Sequence, residues 1–359
     1  MKVLFLTVRA DLGGGPEHLY QLLANHPEGA EIWVGCPRDE PYFSRYAELL
    51  GADRIVEIPH RKFTRSALFR LAGLVRSEGI EVVHSHGKGA GLYGRLLAAL
   101  TPARSVHTFH GLHVGEYGKA KKAVYLALER ALGRLTSRAI CVAETEAEAI
   151  RAVNMIPAGR LVTIVNGVVV PDGIERPALS ETGPLKILAV SRYDHQKNPD
   201  LMIDVAAALK GRRAFEMVVL GTGERLEEMR ARVAAEGLGD MVDLKGGVPS
   251  SRPYMRAAHV FLSSSRWEGM PLAVLEAMSE GLCPVVTDVA GNHDLVDHDR
   301  TGLLYAGADE AATLLAGLGP DRFDVLSGAA RAFVEDGYSV QTMARRTYAL
   351  LQEVAAHDD

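Results

Sequence analysis

Short apolar runs typical of buried strands alternate with helix-like stretches along the whole chain, and this alternation constrains the fold more than any other feature. Such alternation is typical of parallel sheets that carry helices on both faces. The sequence therefore predicts an α/β protein with doubly wound parallel sheets. The predicted strands are Val3–Thr7, Glu31–Cys36, Val82–His84, Ser105–Thr108, Ala139–Val142, Leu161–Val165, Ile187–Ser191, Met217–Leu220, Val242–Leu244, Val260–Leu262, Pro284–Thr287 and Gly302–Tyr305.

One stretch without hydrophobic periodicity, from Pro171 to Pro184, interrupts the alternation and is predicted to be a linker. A chain of 359 residues is long enough for two cores. We therefore predict two Rossmann-like domains, 1–170 and 171–339, which face each other across a cleft. A ligand is expected in that cleft, at the carboxyl ends of the strands. The final segment, 340–359, can stay with the second domain or pack back onto the first.

The bulk composition is that of a globular protein, with 47% hydrophobic and 24% charged residues. The three cysteines, Cys36, Cys141 and Cys283, lie far apart in or beside apolar runs, which predicts buried reduced thiols and a cytoplasmic location. The apolar run at the N-terminus is too short for a signal peptide, and no run of 18 apolar residues exists to span a membrane.

Positive charge is concentrated between residues 60 and 138, where 14 Lys/Arg stand against 4 Asp/Glu, a net of +10 in a chain of net charge −5. The stretches 60–76 and 119–138 mix cations with apolar residues at helical spacing. Two interpretations stay open: ordinary helices whose apolar stripes face the core, or surfaces that dock on the inner face of the cytoplasmic membrane. Nucleic acid is not expected as a partner, because neither stretch shows a pattern of aromatic residues for base stacking.

The segment 265–276 carries the strongest local signal for a ligand site. Glu268 and Glu276 stand eight residues apart, and Pro271 is predicted to begin a helix between them. The backbone N–H groups of residues 269–272 would then point at an anion, aligned with the helix dipole. The two carboxylates suit a polyhydroxylated ligand. The alternative is a capped amphipathic helix with two solvated glutamates.

Two cations, Arg192 and Lys197, follow another predicted strand, and Asn198-Pro199 is predicted to cap and start the next helix. A pair of cations at the carboxyl end of a strand can hold a diphosphate, although ordinary surface cations give the same pattern.

Two glycine loops also follow strands, but each is weak evidence alone. In Gly13-Gly14-Gly15-Pro16, the proline is predicted to begin a helix, and the other loop is Gly221-Thr222-Gly223. The first loop is a poor dinucleotide fingerprint, because the second strand ends at Cys36 without an acidic residue.

In order and spacing, these motifs resemble the retaining GT-B glycosyltransferases of family 4, also called glycosyl transferases group 1. The resemblance covers nearly the whole chain, and its most specific part is the Glu-x7-Glu motif combined with the Arg/Lys pair. The matching segments are Gly13-Gly14-Gly15, His84-Ser85-His86-Gly87, Thr108-Phe109-His110-Gly111, Val165-Asn166-Gly167-Val168, Arg192 with Lys197, Gly221-Thr222-Gly223, Gly246-Gly247-Val248, and Glu268-Gly269-Met270-Pro271-Leu272 through Glu276.

The resemblance implies transfer of a sugar, with retention of configuration, from a nucleoside diphosphate sugar to a glycan or lipid-linked acceptor in bacterial polysaccharide or glycolipid synthesis. UDP is favoured over GDP because UDP-sugars are the more common donors in the family. The residues implied to be catalytic are His110, Arg192, Lys197 and Glu268. The residues implied to bind the donor are Gly14, Gly15, Asn166, Gly221, Val248, Gly269, Met270, Pro271, Leu272 and Glu276.

Two positions depart from the family pattern. Where most relatives carry Gly-x-x-Glu, this chain has Gly291-Asn292-His293-Asp294, which leaves any role of the acid in doubt. Met270 replaces the more common aromatic residue, which matters little if residues 269–272 act through their backbone.

No metal cofactor is expected, since Arg192 and Lys197 can neutralise the departing diphosphate. Asp297-His298-Asp299 has the form of a metal motif but is predicted to be a turn. Zinc is also disfavoured, because no cysteine and no His-x3-His helix accompanies the histidines. Those histidines are His84, His86, His107, His110 and His113. Two other functions stay open: a GT-B-fold epimerase or phosphorylase, and a sugar-binding protein without catalytic activity.

Overall fold

The computed structural model describes residues 1–111, 118–174 and 176–356. The chain divides into two compact units. The first unit comprises residues 1–167 together with the C-terminal helix from residue 340, and the second comprises residues 168–339. The chain therefore passes between the units twice, once after Gly167 and once after Ser339.

The first unit is built on a seven-stranded parallel sheet in the order β3-β2-β1-β4-β5-β6-β7. Its central strands are buried on both faces, which explains why they read as continuous apolar runs in the sequence. The strands are Lys2–Thr7 (β1), Glu31–Cys36 (β2), Ile55–Glu57 (β3), Val82–His86 (β4), Arg104–Thr108 (β5), Arg138–Cys141 (β6) and Leu161–Thr163 (β7).

The second unit has a six-stranded parallel sheet in the order β10-β9-β8-β11-β12-β13. Its strands are Leu185–Val190 (β8), Phe215–Leu220 (β9), Val242–Gly246 (β10), Val260–Ser263 (β11), Cys283–Thr287 (β12) and Leu303–Tyr305 (β13).

Helices follow most of the strands. They are Gly14–Ala24 (α1), Tyr42–Leu50 (α2), Arg65–Glu78 (α3), Gly87–Leu100 (α4), Lys119–Gly133 (α5), Glu144–Ala152 (α6), Pro199–Leu209 (α7), Leu226–Ala235 (α8), Arg252–Met255 (α9), Leu272–Ser279 (α10), Ala308–Ala316 (α11), Pro320–Gly337 (α12) and Val340–Ala356 (α13). None of the helices in the described ranges is long and apolar enough to cross a bilayer.

Two hydrophobic layers sandwich the first sheet. Residues of α3 and α4 pack with Leu4, Leu6 and Trp33 on one face. Residues of α1, α2 and α13 pack with Val3 and Phe5 on the other face. The last helix therefore belongs to the core of the first unit although it follows the second unit in sequence.

The predicted strands all correspond to observed strands, with ends that differ by at most two residues. The prediction missed β3, a three-residue edge strand that is only partly buried and so lacks a strong apolar pattern. The linker region contains no helix or strand among its described residues, but Leu179 within it is buried in the core of the second unit. The three cysteines are buried and free, as predicted.

Two predicted helix starts were wrong. Helix α1 begins at Gly14, two residues before Pro16, because a proline within the first turn breaks no hydrogen bond of the helix. Helix α10 begins at Leu272, and Pro271 is the preceding cap residue with an extended backbone, ψ 101°. Helix α7 begins at Pro199 as predicted.

Candidate functional site

In the second unit, the loops that follow neighbouring strands β8 and β11 carry most of the predicted site residues. Arg192 and Lys197 lie in the loop between β8 and α7, and Glu268 lies in the loop between β11 and α10. Because parallel strands end at the same edge of a sheet, the two loops are adjacent. The motifs that the sequence presents 71 residues apart therefore form one site.

The centre of this site is an ion pair between Lys197 and Glu268. Lys197 Nζ lies 2.5 Å from Glu268 Oε1, and Ser265 Oγ donates a hydrogen bond of 2.6 Å to the same oxygen. The Glu268 side chain is 6% exposed and that of Lys197 is 21% exposed. A buried carboxylate with two donors has a defined position, so the lysine is held in place before any ligand arrives.

Arg266 joins the two loops. Its side chain donates to the His195 carbonyl oxygen at 3.1 Å and to Asn198 Oδ1 at 2.8 Å, and its backbone N–H donates to the Gln196 carbonyl oxygen at 2.8 Å. In the other direction, Gln196 Nε2 donates a hydrogen bond of 3.1 Å to the Trp267 carbonyl oxygen. These bonds fix the loop that carries Lys197 against the loop that carries Glu268.

The roles of Arg266, Gln196 and Ser265 were not predicted from the sequence. All three lie inside motifs that were singled out, but nothing in their spacing shows which backbone groups they reach. Asn198 is the cap residue of α7, as predicted, but its side chain makes no capping bond. Its oxygen instead accepts the bond from Arg266.

Arg192 differs from Lys197 in exposure. Its side chain is 63% exposed and is paired with Asp194 Oδ2 at 3.1 Å and with Gln196 Oε1 at 3.1 Å. Solvent weakens such exposed contacts. Arg192 can therefore turn toward an anionic ligand at low cost.

Free backbone amides lie at the start of α10. The N–H groups of Gly269, Met270 and Leu272 donate to no described residue. Pro271 has no N–H, so the predicted donor set of residues 269–272 loses one member. The remaining amides and the helix dipole still form an anion-binding arrangement. Glu276 lies in the second turn of the same helix, as predicted, and is half-buried.

Gly221 allows the loop after β9 to lie directly against the loop after β8. Its backbone has φ +137°, and a Cβ at this position would lie 1.9 Å from the Ser191 carbonyl oxygen. Only glycine fits such a position. The Tyr193 N–H then donates to the Thr222 carbonyl oxygen at 3.1 Å, which holds the segment next to Arg192. Val248 follows β10 at the same edge of the sheet and is half-buried.

The segment Gly291-Asn292-His293-Asp294, which departs from the family pattern, packs against the loop that carries Glu268. Gly291 has φ +85°, and a Cβ there would lie 2.7 Å from the Glu268 carbonyl oxygen. Asn292 is fully buried and its Nδ2 donates to the Thr287 carbonyl oxygen at 2.8 Å. His293, in the same segment, is exposed and pairs with Asp288.

The Asp-x-Asp segment is a turn, as predicted. Asp297 pairs with Arg300 at 2.5 Å, and Asp299 pairs with Arg322. Each carboxylate is therefore neutralised by an arginine.

In the first unit, a group of buried histidines lies where β4 and β5 end. His84 Nε2 and Thr108 Oγ1 are 2.8 Å apart, and His86 Nδ1 lies 3.2 Å from His110 Nε2. His107 points to the other face of β5, where its Nδ1 lies 2.9 Å from Ser85 Oγ. His113 lies outside the described residues.

His18 of α1 also belongs to this group. Its place there was not predicted from the sequence. Its Nδ1 lies 2.8 Å from Asn166 Oδ1, and its ring packs against the rings of His86 and His110. Asn166, predicted to bind the donor, is buried and orients His18. The same α1 begins with Gly14 and Gly15, of which Gly14 is exposed and Gly15 half-buried.

Burial determines the protonation of these rings. Desolvation lowers the pKa of His18 to about 4, although its hydrogen bond with Asn166 acts in the opposite direction. Burial also lowers the pKa of His84 to about 3 and holds those of His86 and His110 well below the ordinary value. The cluster is therefore uncharged at neutral pH.

Three of these histidines could hold a metal ion. His18, His86 and His110 each offer one ring nitrogen, and the three nitrogens lie within 4.8 Å of one another. This is the one group of such donors found in the described parts of the chain.

Two Rossmann-like units, one of which holds a cation pair, two glutamates and free helix amides at the carboxyl edge of its sheet, define the GT-B class of sugar-transferring enzymes. Family comparison agrees: Glycosyltransferase Family 4 matches residues 12–170, and Glycosyl transferases group 1 matches residues 173–318. The chain belongs to this family, and it is a glycosyltransferase, as the resemblance predicted.

Named relatives are glycosyltransferases, among them one of O-antigen biosynthesis. The chain is 30% identical to the Escherichia coli UDP-Gal:alpha-D-GlcNAc-diphosphoundecaprenol alpha-1,3-galactosyltransferase over 66% of this chain and 65% of that one, slightly less than two thirds of the relative's length. It is 23% identical to the O-antigen biosynthesis glycosyltransferase WbnH of Escherichia coli over 85% and 86% of the two chains.

Solved structures confirm the predicted fold. Anabaena HepE, crystallised with UDP and glucose, superposes with a TM-score of 0.83 at 16% identity, covering 98% of this chain and 100% of that one. The sucrose-phosphate synthase of Thermosynechococcus elongatus superposes with a TM-score of 0.78 at 20% identity, covering 99% of each chain.

Proposed function

We propose that this glycosyltransferase moves a sugar, with retention of configuration, from a UDP-sugar to a glycan or lipid-linked acceptor in bacterial polysaccharide or glycolipid synthesis. The observation that carries the proposal is the contact between Lys197 and Glu268 beside the free amides of α10. Fixed positive charge next to a carboxylate suits a diphosphate attached to a hydroxyl-rich sugar. The relatives named above, which use UDP-galactose or act in O-antigen synthesis, support the choice of substrates.

The site residues of the second unit have the following proposed roles. Lys197 and Arg192 neutralise the charge that builds on the departing diphosphate, and the amides of α10 add oriented dipoles. Glu276 accepts hydrogen bonds from the ribose hydroxyls. Glu268 accepts hydrogen bonds from the hydroxyls of the transferred sugar. Following the family resemblance, His110 of the first unit contacts and orients that sugar.

The proposed reaction is a front-side displacement. The acceptor oxygen forms a bond to the anomeric carbon while the bond from that carbon to the diphosphate oxygen breaks. The acceptor proton passes to the departing diphosphate, so no enzymic nucleophile is required and the configuration is retained. Lys197 and Arg192 supply the positive charge that a metal ion would otherwise provide, and we therefore propose that turnover needs no metal.

Nucleotide binding tests the donor assignment directly. In a thermal-shift screen of UDP, GDP, ADP and TDP, we expect UDP to raise the melting temperature most. Glu276→Ala is expected to weaken UDP binding about 10- to 100-fold, because a pair of charge-assisted hydrogen bonds is lost. The matched control is Glu227→Ala, which removes an exposed glutamate from α8. No shift with any of the four nucleotides, or wild-type affinity in Glu276→Ala, would contradict the assignment.

We also propose that the first unit docks on an anionic membrane surface to reach a lipid-linked acceptor. The apolar stripe of α3 faces the core, since Leu68 and Leu71 are buried, but Phe69 is 65% exposed. On α5, Val124 and Leu128 are 71% and 49% exposed and stand one turn apart.

These exposed apolar residues belong to one layer of helices. Helix α4 contacts both α3 and α5, so the three helices are neighbours. Arg65 lies one turn before Phe69 on α3, and Lys121 lies one turn before Val124 on α5. Apolar side chains among cations are suited to insert into an anionic bilayer surface, at about 1 kcal/mol per cation.

Liposome flotation tests the docking. Wild-type protein is expected to float with vesicles rich in phosphatidylglycerol at low salt, and not with phosphatidylcholine vesicles. Replacing both Phe69 and Val124 with serine is expected to reduce the bound fraction at least about fivefold. Val325→Ser is the control, since Val325 is 68% exposed on the second unit. Failure of the wild type to bind anionic vesicles at low salt would overturn this part of the proposal.

A further inference from the structure

The three histidines His18, His86 and His110 come from three separate elements: α1, the end of β4, and the segment after β5. The proposed sugar transfer uses His110 and gives no role to His18 or His86. His86 is 4% exposed, and its Nε2 has no hydrogen-bond partner in the described part of the chain. The other ring nitrogen of His86, Nδ1, faces His110, so the three rings bring nitrogens together in a group that the proposed reaction leaves largely unused.

The spacing of the ring nitrogens fits a zinc-type ion. In a tetrahedral site with Zn–N distances of about 2.0 to 2.1 Å, ligand nitrogens are about 3.3 Å apart. His86 Nδ1 and His110 Nε2 are 3.2 Å apart, and a nitrogen of His18 lies within 4.8 Å of both rings' donor atoms. The His18 nitrogen needs to move closer by at most about 1.5 Å to complete a three-nitrogen site.

A hydrogen bond with Asn166 orients the His18 ring, as a second hydrogen bond usually does for metal-binding histidines. A ligating histidine typically donates its second ring N–H to an oxygen, which fixes the ring and its tautomer. The bond of 2.8 Å between His18 Nδ1 and Asn166 Oδ1 places a proton on Nδ1 and leaves the Nε2 lone pair for a metal. His110 is only half-buried, so an ion can reach the cluster from solvent.

We propose that His18, His86 and His110 bind one divalent transition-metal ion of the zinc class, and that the bound ion inhibits the enzyme rather than serving it. Three histidines leave a fourth position for water or another ligand. Inhibition follows because an ion held by His110 removes this ring from the sugar. The inhibition, unlike the binding, rests on the proposed function, since it requires His110 to contact the donor.

Cobalt substitution provides a readout that does not depend on activity. Wild-type protein, freed of metal by dialysis against a chelator, is titrated with Co²⁺. We expect the intense visible absorption of tetrahedral Co²⁺ to saturate at one ion per chain and to disappear on addition of Zn²⁺. His18→Gln is expected to weaken Co²⁺ binding at least about tenfold, since one of three ligands is lost. His26→Gln, which removes an exposed histidine of the same unit, is the matched control.

Because His18 is buried, His18→Gln must be shown to fold by far-UV circular dichroism, and Asn166→Ala serves as a second variant. Loss of the hydrogen bond to His18 is expected to weaken Co²⁺ binding by about 10- to 100-fold. Absence of tetrahedral Co²⁺ absorption in the wild type would overturn the metal site, as would wild-type affinity in folded His18→Gln.

The inhibition is measured separately, in a sugar-transfer assay. We expect Zn²⁺ to suppress turnover of the chelator-treated enzyme and excess chelator to restore it fully. Zinc binding without any effect on an active enzyme would overturn the inhibitory role alone. Stoichiometric Co²⁺ binding by a protein that transfers no sugar from any nucleotide donor would leave the metal site standing and reject the proposed function.

Discussion

Replacing Lys197 with alanine is expected to lower kcat for sugar transfer by about 100- to 1,000-fold, with a smaller change in KM. The lysine contributes most when negative charge builds on the departing diphosphate, and one well-placed donor at such a site is worth about 3 to 4 kcal/mol. Its contact of 2.5 Å with Glu268 holds it ready before the donor binds. Steady-state kinetics with a UDP-sugar and an acceptor measure both constants.

Removing Lys197 also leaves the buried Glu268 carboxylate without its ion-pair partner, which tends to destabilise the loop. Lys197→Gln keeps a hydrogen-bond donor but no charge, so it separates loss of charge from loss of support. Lys245→Ala is the matched control, since Lys245 pairs with Asp243 at 2.7 Å on the surface of the same unit. A kcat within about threefold of wild type in both Lys197 variants would place the diphosphate elsewhere.

Gly221→Ala is expected to lower the free energy of unfolding of the second unit by about 2 to 4 kcal/mol. A side chain at this position meets the Ser191 carbonyl oxygen at 1.9 Å, and the backbone has φ +137°. The two loops must therefore separate, and the segment that carries Arg192 loses its support. We also expect UDP affinity to fall.

Urea unfolding followed by tryptophan fluorescence measures this effect. The chain has two tryptophans, Trp33 in the first unit and Trp267 in the second. In a Trp33→Phe background, Trp267 alone reports on the second unit. Gly239→Ala is the control, because a Cβ there meets nothing within 4 Å. Equal stability of the Gly221 and Gly239 variants would mean that the two loops do not pack as described.

Much of the fold could be predicted because parallel strands buried on both faces appear in the sequence as continuous apolar runs. The edge strand β3 gave no such apolar run, since none of its three residues is fully buried. Helix starts were harder to place. Proline is tolerated at several positions in and before the first turn, so Pro16 and Pro271 located their helices only to within two residues.

The motifs of the proposed donor site could be found in the sequence for a related reason. Arg192 with Lys197 forms one short motif and Glu268 with Glu276 forms another, and spacing within a short motif is visible in a sequence. The contacts that hold these parts together were not visible. Arg266 and Gln196 join two loops through backbone carbonyl oxygens, and every residue offers a carbonyl oxygen, so no residue type marks the partner.

By itself, the sequence determined the fold class, because hydrophobic periodicity shows it, and short-range motifs carried the resemblance to the family and supplied the residues proposed to face the diphosphate. Only the tertiary structure decided that α13 completes the core of the first unit, that Lys197 contacts Glu268, and that His18 joins His86 and His110. These are contacts between residues distant in the chain. They depend on how strands are ordered in a sheet and how helices pack on it, which local patterns do not specify.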